Sequence, residues 1–479
     1  MKQPLFILCT LASALCVTGC TVGPRYQRPA ANAPQVFRGA TTPDINPTPI
    51  TTSLGDEKWA EVFRDPILRQ LIREALANNY DVQIAAQHVL EQQDQVGITR
   101  AQQFPTVSGG GSYTAIGLPS GLVNSINSSR NGGGTTAKKF FAGGVTLSAA
   151  WNLDFWGLYR RQTEAARAQL LATEWGRRVT IDTVIENVAT AYFQLRTLDA
   201  ELEITRRTLE ARKQSLQLTQ TVEQGGSGTL ADVRQAEQLL YTAAAAIPDF
   251  ERQIEQQENS ISILLGRNPG PIIRGASEMN WPQPEQIPAG IPSELLERRP
   301  DIQQAEAQLI ASNAEVGVAK AQLFPQLSLS GTGGTASSQL KGLVDGKNLY
   351  WLASGSLTQS IFDAGRLRNN LRLSEAQKLE EVLAYQRTIK QAFEGVSDAL
   401  IGLQKFREYR EEEANLTASA EDATRLARLR YNGGSTSYLE VLTNDTNYYS
   451  AQLTLAVAQE DEALSIVQLY SALGGGWQE

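Results

Sequence analysis

The chain repeats itself. Arg100-Ala101-Gln102-Gln103-Phe104-Pro105 returns as Lys320-Ala321-Gln322-Leu323-Phe324-Pro325, and Gln224-Gly225-Gly226-Ser227 returns as Asn432-Gly433-Gly434-Ser435. The first pair is separated by 220 residues and the second by 208, so both halves carry the same elements, one with a loop shorter by 12. Repetition this long sets the architecture before any motif does, because each half buries its apolar surface against equivalent elements of the other. The 479 residues therefore read as two interleaved halves of one body.

The first residues predict export. Lys2 precedes an apolar run from Leu5 to Val17, shorter than the roughly 20 residues of a membrane-spanning helix, and the run ends in Val17-Thr18-Gly19-Cys20. Residues 1–19 read as a secretion signal closing in a lipobox, with Cys20 as the lipid-bearing residue and Thr21 after it favouring an outer-membrane destination. Cys9 and Cys16 fall inside the signal, which leaves the exported chain without a disulfide. The balance of 43 Lys and Arg against 51 Asp and Glu excludes binding to nucleic acid through phosphate neutralisation.

Residues 20–64 form a linker that Pro24, Pro29, Pro34, Pro43, Pro47 and Pro49 keep extended. Repeat 1 spans 65–266, a Pro/Gly-rich linker 267–291, repeat 2 spans 292–474, and 475–479 form a tail. Asp65-Pro66 predicts an N-cap followed by a first-turn proline, opening a helix to Ala77. Asn78-Asn79 is the break before a longer helix from Tyr80 to Gln103, and Pro300 marks the matching break in Leu295-Leu296-Glu297-Arg298-Arg299-Pro300-Asp301-Ile302.

Each Phe-Pro opens a segment of period two. From Val145 to Phe155 apolar residues hold the odd positions; in the second copy Ser354, Ser356, Thr358 and Ser360 face one way and Trp351, Ala353, Leu357 and Ile361 the other. With Val107 to Ala115 and Leu327 to Gly331, each half offers one hairpin, about 105–156 and about 325–363, making four strands per chain. Four strands cannot close a barrel, and an open edge in lipid strands backbone groups at several kcal/mol each, so other copies must complete the sheet. Phe140, Phe141, Trp151, Phe155, Trp156, Tyr350, Trp351 and Phe362 cluster at the strand ends as an interfacial girdle would; the competing reading is the core of a soluble sandwich.

Long helices follow the hairpins. No proline interrupts Tyr159 to Gln224, where Ile181, Val184, Val188, Ala191, Leu195, Leu198 and Leu202 step by three and four, and Ile389, Phe393, Val396 and Leu403 keep the register in the second half. After Gly225-Gly226 and Gly433-Gly434 the chain returns, from Thr229 to Leu265 and from Thr436 to Leu473, giving long coiled-coil hairpins over about 157–266 and 364–474.

The lipobox followed by Thr21-Val22-Gly23-Pro24-Arg25-Tyr26, the stretch Leu295 to Ile302, the paired Phe-Pro motifs, Tyr431 with Gly433-Gly434 and Leu439, and the closing Gly474-Gly475-Gly476-Trp477 resemble the TolC/OprM outer membrane factors, in their lipoprotein branch. The resemblance implies an α+β membrane protein: a trimer whose 12-stranded outer-membrane β-barrel continues into a periplasmic α-helical barrel. It also implies partners, an inner-membrane efflux transporter and a periplasmic membrane fusion (adaptor) protein, with the chain acting as a passive exit duct for drugs or other small toxic compounds. The tips would close it. Leu439, Glu440, Thr443 and Tyr431 match gate positions, with Thr443 and Thr436 departing from the aspartate and arginine that relatives can carry there. From the residues themselves, Ser437-Tyr438-Leu439-Glu440 and Thr229-Leu230-Ala231-Asp232 are capping boxes, so Glu440 and Asp232 read as helix caps as well as gate acids.

No enzyme is expected. The single histidine, His88, falls on a predicted helix beside Gln87 and Glu91 and reads as part of a solvated or inter-helix face, and no cofactor is implied beyond a lipid on Cys20. A metal-ion or protein-export duct would share this fold, and a structural periplasmic coiled-coil lipoprotein with soluble hairpins is the alternative of another class.

Overall fold

The computed structural model describes residues 21–34, 36–39, 53–117, 139–275, 290 and 292–477; the predicted signal, Cys20 and most of the linker between repeats lie outside them. The helices in chain order are α1 Trp59–Val62, α2 Pro66–Asn78, α3 Tyr80–Ala101, α4 Leu158–Gln224, α5 Leu230–Leu264, α6 Leu295–Arg298, α7 Pro300–Ala321, α8 Arg366–Asn432 and α9 Tyr438–Ala472. The strands are β1 Thr106–Gly117, β2 Lys139–Leu153, β3 Gln326–Ser337 and β4 Leu349–Thr358. Two compact units form, one on Glu91–Leu170 and Ala307–Val382, the other on Pro29–Leu90, Leu171–Glu306 and Leu383–Glu479, so each draws on both repeats.

The first unit carries one antiparallel sheet in the order β1-β2-β3-β4. Its two hairpins, in register at Thr106↔Ala150 and Gln326↔Thr358, join through β2 and β3 at Leu153↔Leu327. β1 and β3 outrun the expected segments and β2 begins before its own, while β2 and β4 stop at Leu153 and Thr358, short of the expected Phe155 and Ile361; a Cβ on Gly334 would lie 2.2 Å from the Val145 carbonyl oxygen, so only glycine allows the two backbones this approach. One face carries hydroxyl ladders, Ser148 to Thr332 at 3.3 Å, Ser328 to Ser356 at 2.7 Å and Ser330 to Ser354 at 2.8 Å. The other exposes Val145, Leu147, Trp351 and Leu357, the apolar face a lipid-facing sheet presents. The edge strands β1 and β4 pair with no further strand among the described residues.

Phe-Pro has a structural task. The Trp156 indole stacks on Phe324 at 4.8 Å between ring centres and donates its N–H to the Pro325 carbonyl at 2.8 Å, pinning the end of β2 to the start of β3. Below it the extended residues after Cys20 are strapped down: the Val22 amide donates to the Trp156 carbonyl at 3.0 Å, and Gly23, at φ +117°, passes so close to Gly317 that a Cβ would sit 2.6 Å from its Cα.

The second unit is helical. Asp65 caps α2 by accepting from the Ile67 and Leu68 amides at 2.7 and 3.3 Å, as the Asp-Pro signal predicts, and at the Asn78-Asn79 break Asn79 caps α3 through the Asp81 and Val82 amides. The apolar seam is buried at Val184, Val188, Ala191, Leu195 and Leu202 on α4, and at Ile389, Val396 and Leu403 on α8. Arg299, inside the Arg-Arg-Pro stretch, donates to the last carbonyl of α9 at Ala472 at 2.7 Å and is itself held by Asp301. The chain's last described residue packs here too: Arg178 lies 4.0 Å from the Trp175 ring centre and 4.7 Å from that of Trp477.

The helical tips as a candidate gate

Both hairpins turn alike. The Ser227 amide reaches back to the Val222 carbonyl at 3.1 Å and the Ser435 amide to that of Arg430 at 2.9 Å, while Gly226 at φ +73° and Gly434 at φ +71° supply the left-handed residue of each cap. Gly225 and Gly433 close the last turns of α4 and α8 by donating to Thr221 and Leu429. The tip turns are therefore the same motif twice, as the sequence repeat predicts.

The residues after the turns diverge. Thr229 and Asp232 form the predicted capping box, with Thr229 Oγ1 accepting from the Asp232 amide at 3.2 Å and Asp232 Oδ2 accepting from the Thr229 amide at 3.0 Å. The matching box at Ser437 and Glu440 is absent: Ser437 makes no side-chain cap bond. Glu440 is drawn across the turn instead, by Arg430 Nη1 at 2.6 Å and by the Thr436 hydroxyl. A guanidinium on the preceding helix outcompetes a local backbone amide for a carboxylate, because both partners of that bond are charged. Thr436, at the position where a linking arginine is expected from the resemblance, instead donates its hydroxyl to Glu440.

Behind this rim lies a small core. Tyr438 is buried against Ala236, Ala427 and Val441, with Leu216, Tyr431 and Leu442 packed around it. Its hydroxyl is 3.1 Å from Ser215 Oγ, and its ring meets Tyr431 edge-on at 5.4 Å. Burial pushes the Tyr438 phenol up, and burial together with the charge of Asp232 does the same to Tyr431, so both stay neutral at physiological pH. Leu439 and Thr443 point away from this core; Leu439 is exposed and Thr443 Oγ1 donates to the Leu439 carbonyl. The gate residues inferred from sequence thus meet at one tip, Tyr431 and Glu440 in contact networks and Leu439 and Thr443 at its surface.

One group escaped sequence reasoning. Arg212 on α4 and Arg428 on α8 both clasp Asp445 on α9, at 2.9 and 2.7 Å, with Arg212 and Asp445 almost wholly buried. Arg212 also donates to the Leu239 carbonyl of α5 at 2.9 Å, so one side chain ties three helices at the tip. The repeat did carry a signal: the mate of Arg212 is Ala420, a break in symmetry just where the seam should be apolar, while the mate of Asp445, Glu237, keeps the acid.

The aromatic residues expected at a membrane interface are spread along the sheet unit. Trp351 and Phe362 are strongly exposed, Trp151, Phe155 and Tyr350 are partly so, and Trp156 is packed on Phe324. Phe140 and Phe141 lie in β2, with side chains outside the described residues.

The Outer membrane efflux protein family model matches residues 71–267 and 291–475. The solvent efflux pump outer membrane protein SrpC of Pseudomonas putida is 36% identical over 99% of this chain and 98% of its own. The cation efflux system protein CusC of Escherichia coli K12 is 32% identical over 97% and 98%. The open state of the Neisseria gonorrhoeae MtrE outer membrane channel superposes with a TM-score of 0.82 at 28% identity, over 96% of this chain and 99% of that one. With two long helical hairpins, a four-stranded sheet open at both edges and these likenesses along its length, the chain belongs to the outer membrane efflux protein family, the exit ducts of tripartite efflux pumps.

Proposed function

We propose that three copies of this chain close a 12-stranded barrel in the outer membrane, continued by a helical barrel whose tips gate the periplasmic end. The observation that carries this reading is a sheet of four strands with two open edges and an apolar outer face, which lipid does not tolerate unless other copies complete it. An inner-membrane transporter and an adaptor protein would deliver the cargo, and the lipid on Cys20 would tether the extended strap that starts at Thr21. We assign the cargo to small toxic organic compounds, as for the solvent pump relative. The cation relative makes metal ions the second reading, against which stands a sequence with one His and two Met, poor in soft donors.

The Arg430–Glu440 pair, the Tyr431–Tyr438 contact and the Arg212–Asp445–Arg428 clasp hold the tip closed in this reading. Planar-bilayer conductance tests it: a low-conductance wild-type channel that opens on Arg430→Ala or Asp445→Ala supports the gate, and an unaltered conductance in both variants refutes it. Radiolabelled palmitate incorporated by the wild type and lost in Cys20→Ser supports the anchor.

A further inference from the structure

The geometry assigns the register in which one copy of this chain pairs with the next: β4 against β1 of the second copy, antiparallel, with Ser356 opposite Ser112 of that copy. The inference rests on the trimeric reading above and adds to it the residues that meet.

The repeat offsets that relate the two halves in sequence also relate their strand pairing. Moving Thr106↔Ala150, the first pair of β1 with β2, forward by 220 and 208 residues gives Gln326↔Thr358, the pair observed between β3 and β4. The two hairpins are therefore copies of each other to the residue. The contact of β2 with β3 joins the end of one repeat to the start of the next, and a ring of copies needs that same joint between β4 of one chain and β1 of its neighbour. Moving β2 forward by 208 and β3 back by 220 turns Leu153↔Leu327 into Ile361↔Val107, Ser148↔Thr332 into Ser356↔Ser112, and Gly143↔Ser337 into Trp351↔Gly117.

Three independent features agree with this register. Polar meets polar and apolar meets apolar: Ser356 and Ser354 face Ser112 and Thr114, while Ile361 faces Val107, whereas a slip of one residue would set every serine against the apolar face. Gly355 comes opposite Tyr113, which already lies over Gly143 inside the chain, where a Cβ would be 3.1 Å from the Tyr113 ring. Finally, β2 remains strand to Leu153, but β4 ends at Thr358, short of the matching Ile361. The residues beyond it are bare and apolar, Ile361 at 98% and Phe362 at 87% exposed, with Phe104 and Val107 exposed at the other edge. The joint buries them and extends β4 to Ile361. It differs from its intramolecular copy at Thr114, which stands where β3 has Gly334, so the two backbones cannot approach there as β2 and β3 do.

Cysteine pairs read the register. Ser148 Oγ and Thr332 Oγ1 lie 3.3 Å apart in the intramolecular joint, so a S148C/T332C chain bridges within itself and calibrates the reaction. The S112C/S356C chain, oxidised with copper-phenanthroline in outer membranes, should run as a covalent trimer on denaturing gels and return to monomer on reduction. The pairs S356C/G110C and S356C/T114C, two residues out of register, should bridge on the order of tenfold less. Equal or greater bridging by a shifted pair overturns the register, as does a trimeric mass in mild detergent without S112C/S356C bridging under conditions where S148C/T332C bridges. A monomeric mass would instead remove the trimeric reading itself.

Discussion

Glu440 and Asp445 lie on the same turn-proximal stretch of α9 and hold their negative charges in different surroundings. Asp445 is buried between two guanidinium groups, and removing one partner of such a network leaves a buried charge uncompensated. Asp445→Ala should therefore destabilise the tip by about 3–5 kcal/mol, seen as earlier thermal unfolding and faster tip proteolysis. The Arg430–Glu440 pair is half-exposed, a class worth under about 1 kcal/mol, so Glu440→Ala should leave unfolding nearly unchanged while raising leakage and lowering cation selectivity in bilayers. Unchanged selectivity would reduce Glu440 to a surface ion pair. At Gly434 a Cβ meets open space, so the strain of Gly434→Ala comes from φ +71° alone; about 1 kcal/mol of destabilisation is expected in a denaturant titration.

Among elements, the long helices and the hairpins were legible because each has a period and a twin. The caps at Asp65 and Thr229 were legible too, since their partners are local backbone amides. What the sequence could not show is how partners are exchanged between distant helices: Glu440 follows its capping pattern yet binds Arg430, and Asp445 finds Arg212 more than two hundred residues away. Pairs of that kind depend on helix azimuth, which no local pattern encodes. The same holds for Glu201 on α4, which burial and then the charge of Glu460 on α9 push up to about 7. A carboxylate raised in the folded state favours folding below its unfolded pKa of 4.5, and that contribution is lost as pH rises through about 7. The thermal midpoint should fall between about pH 5 and 7, and Glu201→Gln should flatten that slope; a slope unchanged in the variant would assign it to other groups.

In the whole molecule, two repeats bring the sheet to four strands and leave both of its edges able to pair among the described residues. Family membership, the apolar outer face and the paired hairpins converge on a duct that only an assembly completes. The direct measurement is the protein mass of the complex extracted from outer membranes in mild detergent, with detergent and lipid subtracted. A mass of three chains is the predicted result. A stable monomer in the soluble fraction would contradict it, since its open strand edges would then need no partner copies.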